Sequence, residues 1–187
     1  MSAALSIFLV GMMGAGKSTV GVRLARRLDR AFLDVDRELE ARLGVDIPTV
    51  FDLEGEEGFR RRESQLIQEL VSTQEGLVLA TGGGAVLLPV NRQALSAHGL
   101  VVYLRASPAD LWQRLRRDKH RPLLKSDNPR QRILDLVEQR DPLYMEIADH
   151  VVSTGRQPVD LAVESIITWL SGPDCAKSAQ GKILCRK

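Results

Sequence analysis

Aromatic residues and cysteines are scarce in this chain of 187 residues. Only 4% of the residues are Phe, Trp or Tyr, so we expect a core built mainly from Leu, Val, Ala and Ile. The two cysteines, Cys175 and Cys185, are too few for a disulfide framework or a zinc site with four cysteine ligands. No apolar run approaches the ~18 residues that a membrane span needs. No basic residue precedes the apolar N-terminal run, as a secretory signal would require, so we predict a soluble cytoplasmic protein without membrane contact.

A large excess of charge is also missing. The 26 Lys and Arg residues against 24 Asp and Glu give a formal net charge of +2, which is too small for a nucleic-acid-binding surface. Residues 173–187 hold four basic residues and one acidic residue, so residues 1–172 carry a net charge of −1. Because this tail is poor in apolar residues and lacks a helical period, we predict one domain over residues 1–172 and a disordered tail over 173–187.

Short apolar runs alternate with amphipathic segments along residues 1–172. The predicted strands are 6–10, 31–35, 77–80, 100–104 and 150–153, and the predicted helices are 18–28, 54–71, one that begins at Ser107-Pro108, 133–147 and 159–170. Apolar strands that alternate with helices are typical of a parallel sheet covered on both faces. We therefore predict an α/β protein, with three α/β/α layers around a five-stranded parallel sheet.

A glycine-rich segment, Gly11 to Ser18, follows the first predicted strand and fits the pattern G-x-x-x-x-G-K-[ST]. Glycines let the backbone turn its N–H groups toward phosphate oxygens, and the next helix adds the partial positive charge of its N-terminus. Lys17 is expected to reach the β- and γ-phosphates of a nucleotide, and Ser18 to bind Mg²⁺. The predicted nucleotide-binding residues of this segment are Gly14, Ala15, Gly16, Lys17, Ser18 and Thr19.

Two further polar segments follow predicted strands. Asp34 and Asp36 are two residues apart, and on a strand their carboxylates would point to the same side. One would serve the metal and the other an acceptor hydroxyl; the alternative is that Asp36 caps a helix. The sequence Thr81-Gly82-Gly83-Gly84 ends the third strand, where parallel sheets bind ligands, although such a sequence is also found in plain tight turns.

Basic residues form two clusters. Three consecutive arginines, residues 60–62, lie on a predicted helix, so that one can face a ligand while the others face solvent. Residues 114–125 hold six basic residues and one acidic residue. They could form a solvated face, a nucleic-acid contact or a mobile flap over ATP. No aromatic residue is interleaved to stack on bases, so we favour the flap.

Taken together, these segments resemble the motifs of bacterial shikimate kinases, in order, over nearly all of residues 5–170. The matching motifs are the phosphate loop at Gly11–Thr19, D-x-D at Asp34 and Asp36, G-E-x-x-F-R-x-x-E at Gly55–Glu63, T-G-G-G at Thr81–Gly84, R-P-L-L at Arg121–Leu124, and R-x-P-x-Y at Arg140, Pro142 and Tyr144. Each motif alone is weak, but six at the family's spacing are specific. The resemblance implies a P-loop kinase architecture with a mobile lid over about residues 114–129.

The resemblance also implies a reaction and its residues. ATP would phosphorylate the 3-hydroxyl of shikimate, a step of chorismate and aromatic amino acid biosynthesis. Asp36 would bind hydroxyls of shikimate and either remove a proton or orient the hydroxyl. Arg60 and Arg140 would hold the carboxylate of shikimate, and Asp34 would bind Mg²⁺ through water. The triple glycine, Gly82, Gly83 and Gly84, would contact the substrate, with the N–H of Gly82 as a donor.

On the nucleotide side, the resemblance implies that Arg121 in the lid reaches the ATP phosphates and shares catalysis with Lys17 and Asp36. Arg114 would lie against the adenine, and Arg156, Gln157 and Pro158 would close the adenine pocket. We expect a monomer that uses Mg²⁺, ATP and shikimate and does not bind nucleic acid. The alternatives are another small-acceptor kinase, for gluconate or a nucleoside monophosphate, and a non-catalytic module that binds nucleic acid.

Overall fold

The computed structural model describes residues 5–116 and 128–184, the last four of these by their backbone only. The strands are β1 (Ser6–Val10), β2 (Phe32–Asp34), β3 (Val78–Ala80), β4 (Gly99–Arg105) and β5 (His150–Ser153). The helices are α1 (Lys17–Leu28), α2 (Val35–Leu43), α3 (Ile47–Thr73), α4 (Pro89–His98), α5 (Pro108–Leu115), α6 (Pro129–Ile147), α7 (Val159–Leu170) and α8 (Pro173–Leu184), with a short 3₁₀ helix at Ala85–Leu87. None of these helices is long and apolar enough to cross a bilayer.

All five strands pair in parallel, in the order β2-β3-β1-β4-β5. The central strand is β1, whose Leu9 pairs with Ala80 on β3 and with Val102 on β4. Every residue of β1 is buried, as expected for a strand with neighbours on both sides and helices on both faces. Helices α1 and α7 contact each other, and in a second group α4 contacts both α3 and α6. The predicted parallel α/β fold is therefore confirmed.

The strand order brings three loops to one edge of the sheet. Strands β2, β3 and β1 are neighbours, and their carboxyl ends lead into Asp34, Thr81 and Gly11 respectively. Ligands of open parallel sheets bind at this edge. The fold thus places the carboxylates, the triple glycine and the phosphate loop side by side.

Two local expectations for the acidic motif and the arginine helix need correction. Asp36 lies in the first turn of α2 instead of on a strand, and Asp34 is the cap, because its side chain accepts from the N–H groups of Asp36 and Arg37 at 3.1 and 3.4 Å. Helix α3 begins at Ile47 instead of residue 54 and bends at Gly55, whose φ of 67° interrupts the helical geometry. An N-terminal cap, in which Asp46 accepts from the N–H of Thr49, starts the first segment.

The prediction of a disordered tail is wrong for residues 173–184, which form α8. Pro173 begins the helix, a position where its missing N–H is harmless. Cys175 is buried, and Ser178 and Ala179 are half-buried, so these positions at spacing i, i+3 and i+4 form one face. This face packs against α7, α4 and β4. Because the inward residues are small, the segment lacks the strong apolar period that identifies a packed helix.

Candidate active site

Two adjoining cavities open at the carboxyl edge of the sheet, with volumes of about 410 and 500 Å³. The smaller is named here the phosphate cavity, because the phosphate loop lines it, and the larger the acceptor cavity. The two share five lining residues, Met13, Ser18, Asp34, Asp36 and Gly83. Molecules bound in the two cavities would therefore meet at these five residues.

The phosphate cavity is formed around the N-terminus of α1. Gly16 caps this helix with a φ of 95°, a left-handed conformation that favours glycine. Lys17 is buried, and its Nζ donates to the carbonyls of Gly11 and Met12 at 2.7 and 2.9 Å. The structure thus holds a cation inside the loop, next to backbone N–H groups at a helix N-terminus. This combination is suited to a polyphosphate. The predicted nucleotide-binding residues that line the cavity are Gly14, Ala15, Gly16, Lys17, Ser18, Thr19, Arg114, Gln157 and Pro158.

Ser18 and Asp34 meet at the boundary of the two cavities. The hydroxyl of Ser18 donates to Oδ2 of Asp34 at 2.5 Å. Both groups carry the hard oxygen ligands that Mg²⁺ prefers, and Mg²⁺ in kinases commonly takes only one or two protein ligands and completes its shell with phosphates and water. No cluster of three or more His, Cys, Asp or Glu side chains that could hold a metal alone occurs within residues 5–116 and 128–184. The donor set therefore fits a metal that arrives with a nucleotide.

Arg114 connects the phosphate loop to the loop after β5. Its guanidinium donates to the carbonyls of Gly14, Thr154 and Gly155 at 2.8, 3.1 and 2.5 Å. Arg114, which the sequence analysis assigns to the adenine, thus lies between the two loops that border the phosphate cavity. Arg156 does not line that cavity; its side chain is 93% exposed and lies 3.9 Å from Asp110. Arg121 and most of the predicted lid fall outside the described residues.

The acceptor cavity contains a buried ion pair. Arg60 donates to Oε2 of Glu63 at 2.7 Å and to Glu56 at 3.2 Å. Glu63 is fully buried, and burial raises the pKa of its carboxyl, although the positive charge of Arg60 opposes this shift. The pair fixes the arginine side chain in the cavity wall, because a buried charge without a partner would be strongly destabilising.

The triple glycine packs directly against these charged groups. A Cβ at Gly82 would overlap Oε1 of Glu63 and lie 3.0 Å from Oδ1 of Asp36. A Cβ at Gly84 would overlap the guanidinium of Arg60. Any larger residue at either position would therefore displace a charged side chain of the cavity. The close approach favours the ligand-loop interpretation over that of a plain turn.

Arg140 lies behind the triple glycine and is not a lining residue of either cavity. It is only 2% exposed, and its Nη1 donates to the carbonyl of Gly83 at 3.1 Å. Among the described residues, its Nε and the Nε of Arg60 have no hydrogen-bond partner, and neither does Oε1 of Glu63. Buried donors and acceptors normally find partners. Arg60 and Glu63 line the acceptor cavity, so their unpaired atoms are suited to a ligand that carries a carboxylate and a hydroxyl, whereas the Nε of Arg140 belongs to a residue that lines neither cavity.

Several lining residues were not predicted from the sequence. Phe51 and Phe59 pack with ring centroids 4.8 Å apart and form an apolar wall of the acceptor cavity together with Ile47 and Pro48. Glu63, the partner of Arg60, was also missed as a site residue. The matching motif G-E-x-x-F-R-x-x-E contains Phe59 and Glu63, so the signal for these two was present. The sequence carries no comparable signal for the segment before Gly55.

Comparison with known proteins gives one consistent result. The family model described as shikimate kinase matches residues 13–171. The shikimate kinase of Burkholderia lata is 56% identical over 165 residues, which is 88% of this chain and 89% of that protein. That of Aromatoleum aromaticum is 58% identical over 150 residues, 80% of this chain and 85% of that protein. The structure of Acinetobacter baumannii shikimate kinase in complex with shikimate superimposes with a TM-score of 0.86 at 48% identity, covering 90% of this chain and 94% of that one.

Proposed function

The chain belongs to the shikimate kinase family, and we propose that the two joined cavities are the active site in which it phosphorylates shikimate with ATP. The phosphate cavity would hold the nucleotide and the acceptor cavity the shikimate. The products are ADP and phosphorylated shikimate, with the 3-hydroxyl as the proposed acceptor.

The shared border of the cavities is the observation that carries this proposal. A phosphoryl group that leaves one ligand for another must pass between ligands held a few ångströms apart, and positioning supplies much of the rate. Five residues, among them Ser18, Asp36 and Gly83, line both cavities. Two ligands bound there would meet at these residues.

On the donor side, Lys17 is the principal cation. Its Nζ now donates to the carbonyls of Gly11 and Met12, which are neutral acceptors. Phosphate oxygens are charged acceptors and form stronger hydrogen bonds. We propose that the ammonium turns to the β- and γ-phosphates when ATP binds and stabilises the charge on the transferred group. Arg114 would keep the two bordering loops together, with its guanidinium against the adenine.

On the acceptor side, Asp36 would accept a hydrogen bond from the reacting hydroxyl and orient its oxygen toward the phosphate. Arg60 and Arg140 would bind the carboxylate of shikimate, since a guanidinium matches a carboxylate with two parallel hydrogen bonds. Glu63 would hold Arg60 in place through the 2.7 Å pair. The N–H of Gly82 would donate to the substrate from the loop that Glu63 and Asp36 border.

Ser18 and Asp34 would hold Mg²⁺, with Asp34 acting through water. When bound, the ion would neutralise phosphate charge and help to orient the γ-phosphate. Arg121 and the lid are assigned by resemblance alone, and we propose that they cover the phosphates and exclude water. We also propose a monomer that requires neither nucleic acid nor membrane.

The experiment that tests this function is an acceptor screen. ADP release would be measured with shikimate, gluconate and AMP, each with and without Mg²⁺. We expect turnover with shikimate and Mg²⁺ only. Faster turnover with gluconate or AMP would favour the rival small-acceptor kinases and contradict the proposal. If there were no turnover with any acceptor but tight, salt-sensitive nucleic-acid binding, this result would support the non-catalytic alternative.

A further inference from the structure

The hydroxyl of Tyr144 donates to the carbonyl of Gly83, the central residue of the triple glycine, at 2.5 Å. Tyr144 is fully buried. Arg140 precedes it by four residues on α6, so both side chains project from the same face of the helix. Nη1 of Arg140 donates to the same carbonyl at 3.1 Å. One backbone oxygen therefore accepts hydrogen bonds from two side chains of a single helix.

Gly83 also lies against the phosphate loop. A Cβ at Gly83 would lie only 2.9 Å from the backbone nitrogen of Met13, and Gly83 lines both cavities. The hydroxyl of Tyr144 lies 3.7 Å from the sulfur of Met12 in that loop. The triple-glycine segment Gly82–Gly84 is named here the acceptor loop. Tyr144 thus contacts the junction at which the acceptor loop meets the phosphate loop.

We propose that Tyr144 is a positioning residue, whose hydroxyl anchors the carbonyl of Gly83 and thereby fixes the acceptor loop relative to the phosphate loop. This inference rests on the proposed function, in which shikimate contacts the triple glycine and ATP contacts the phosphate loop. Arg140 cannot serve as the sole anchor, because its guanidinium is also assigned to the substrate carboxylate. Tyr144 has no proposed contact with the substrate, since besides Gly83 its hydroxyl contacts the thioether of Met12, a weak acceptor, and the guanidinium of Arg140.

The surroundings of Tyr144 keep it in this role. Its ring stacks on Tyr103 with centroids 4.8 Å apart and an interplanar angle of 27°, so the ring has little freedom to turn. Burial raises the pKa of the Tyr144 hydroxyl above its ordinary value, so the group remains protonated and able to donate at neutral pH.

The test compares Tyr144→Phe with Tyr103→Phe in the full chain. Each variant removes one buried hydroxyl and keeps the stacked rings, but the hydroxyl of Tyr103 donates to Asp141 at 2.7 Å and does not contact the acceptor loop. For Tyr144→Phe we expect kcat to fall about tenfold, with the KM values for shikimate and ATP within about threefold of wild type. A loss of orientation, rather than of binding, predicts this split. For Tyr103→Phe we expect kcat within about twofold of wild type.

A second measurement does not depend on turnover. Amide hydrogen exchange of Gly82–Gly84 in the ligand-free chain should be about tenfold faster in Tyr144→Phe and unchanged in Tyr103→Phe, because only the first variant removes the shorter of the two side-chain hydrogen bonds to the Gly83 carbonyl. Equal exchange in both variants would overturn the proposal. So would an equal loss of kcat in both, or a raised KM for shikimate at unchanged kcat. If the wild type itself did not turn over shikimate, the proposed function would fail, and the exchange experiment would still decide whether Tyr144 anchors the loop.

Discussion

Truncation of Arg140 to alanine is the sharpest test of the acceptor site. Arg140 is 2% exposed, donates to Gly83 through Nη1, and has an Nε without a hydrogen-bond partner among the described residues. In the proposed complex, its remaining N–H groups bind the carboxylate of shikimate together with Arg60. Alanine removes these donors but leaves the Gly83 carbonyl with its bond from Tyr144, so the acceptor loop should keep its place.

The expected magnitude follows from the hydrogen bonds that would be lost. A hydrogen bond to a charged group contributes about 1.5–3 kcal/mol, so the loss of two, with Arg60 retained, should weaken binding by about 3 kcal/mol. Since each 1.4 kcal/mol is a factor of ten, the KM for shikimate should rise about 100-fold. The proposal gives Arg140 no contact with the nucleotide, so the KM for ATP should stay within about threefold.

The assay is coupled ADP release with shikimate and ATP varied in turn. Arg92→Ala is the matched control, because Arg92 is also largely buried and donates to a backbone carbonyl, that of Val86, at 2.8 Å, but it has no hydrogen bond to the triple glycine and no proposed contact with a substrate. Thermal melts of both variants would show that the fold survives. An unchanged KM for shikimate in folded Arg140→Ala would refute the carboxylate assignment, as would an equal rise in the control.

Four further variants test other parts of the molecule. Lys17→Ala should reduce kcat at least about 1000-fold while calorimetry still detects shikimate binding; loss of shikimate binding instead would contradict the separation of the two cavities. Gly82→Ala should raise the KM for shikimate at least about tenfold, because the added methyl group would overlap Glu63; wild-type kinetics would show that the loop does not pack as described. Deletion of residues 173–187 should lower the melting temperature by about 5 °C and leave kcat unchanged, since α8 packs on α7, α4 and β4 away from the cavities; an unchanged melt would mean that α8 adds no stability. Burial lowers the pKa of His150 below its ordinary 6.5. As the pH falls, the unfolded chain therefore binds a proton at this residue before the folded chain does, so the free energy of unfolding should decrease below about pH 6.5. In His150→Gln this part of the pH dependence should be lost, as measured by urea unfolding at pH 7.5 and 5.5.

The sheet could be predicted from the sequence because its strands are continuous apolar runs. The predicted bounds of β1, β5 and α7 agree with the structure to the residue. Helix α4 and the 3₁₀ helix had no predicted counterpart. The inward residue of α4 at its N-terminal end is Asn91, which is fully buried and bonds to Ser64 and to the carbonyl of Ala85. A buried polar residue does not contribute to an apolar period, and its partners lie in other elements, so the sequence pattern could not identify this helix.

In the candidate site, too, the features that depend on local sequence were predictable, and those that depend on tertiary packing were not. The phosphate loop is a local sequence with a local conformation, and its residues line the cavity where they were expected. By contrast, the burial of Arg140 behind Gly83 depends on how α6 packs against the 3₁₀ helix that follows the triple glycine and against β4, which no short motif encodes. The consecutive arginines are an intermediate case. Helical spacing correctly indicated that one would face inward, and the structure identifies it as Arg60, while Arg61 and Arg62 form exposed pairs with Glu57 and Glu54.

Arg60 and Arg140 are buried and held in place without a ligand, which gives them an advantage over exposed arginines. In the proposed complex both arginines bind the anionic carboxylate of shikimate, while the cavity wall also carries acidic side chains, among them Asp36 and Glu63. Solvent-exposed arginines would attract the same anion, but they would have to be ordered at the moment of binding, which costs side-chain entropy. Here the Glu63 pair and the Gly83 carbonyl already hold the two guanidinium groups. The desolvation cost of these charges is therefore borne by the folded protein, and in the proposed complex the substrate would meet donors that are already oriented.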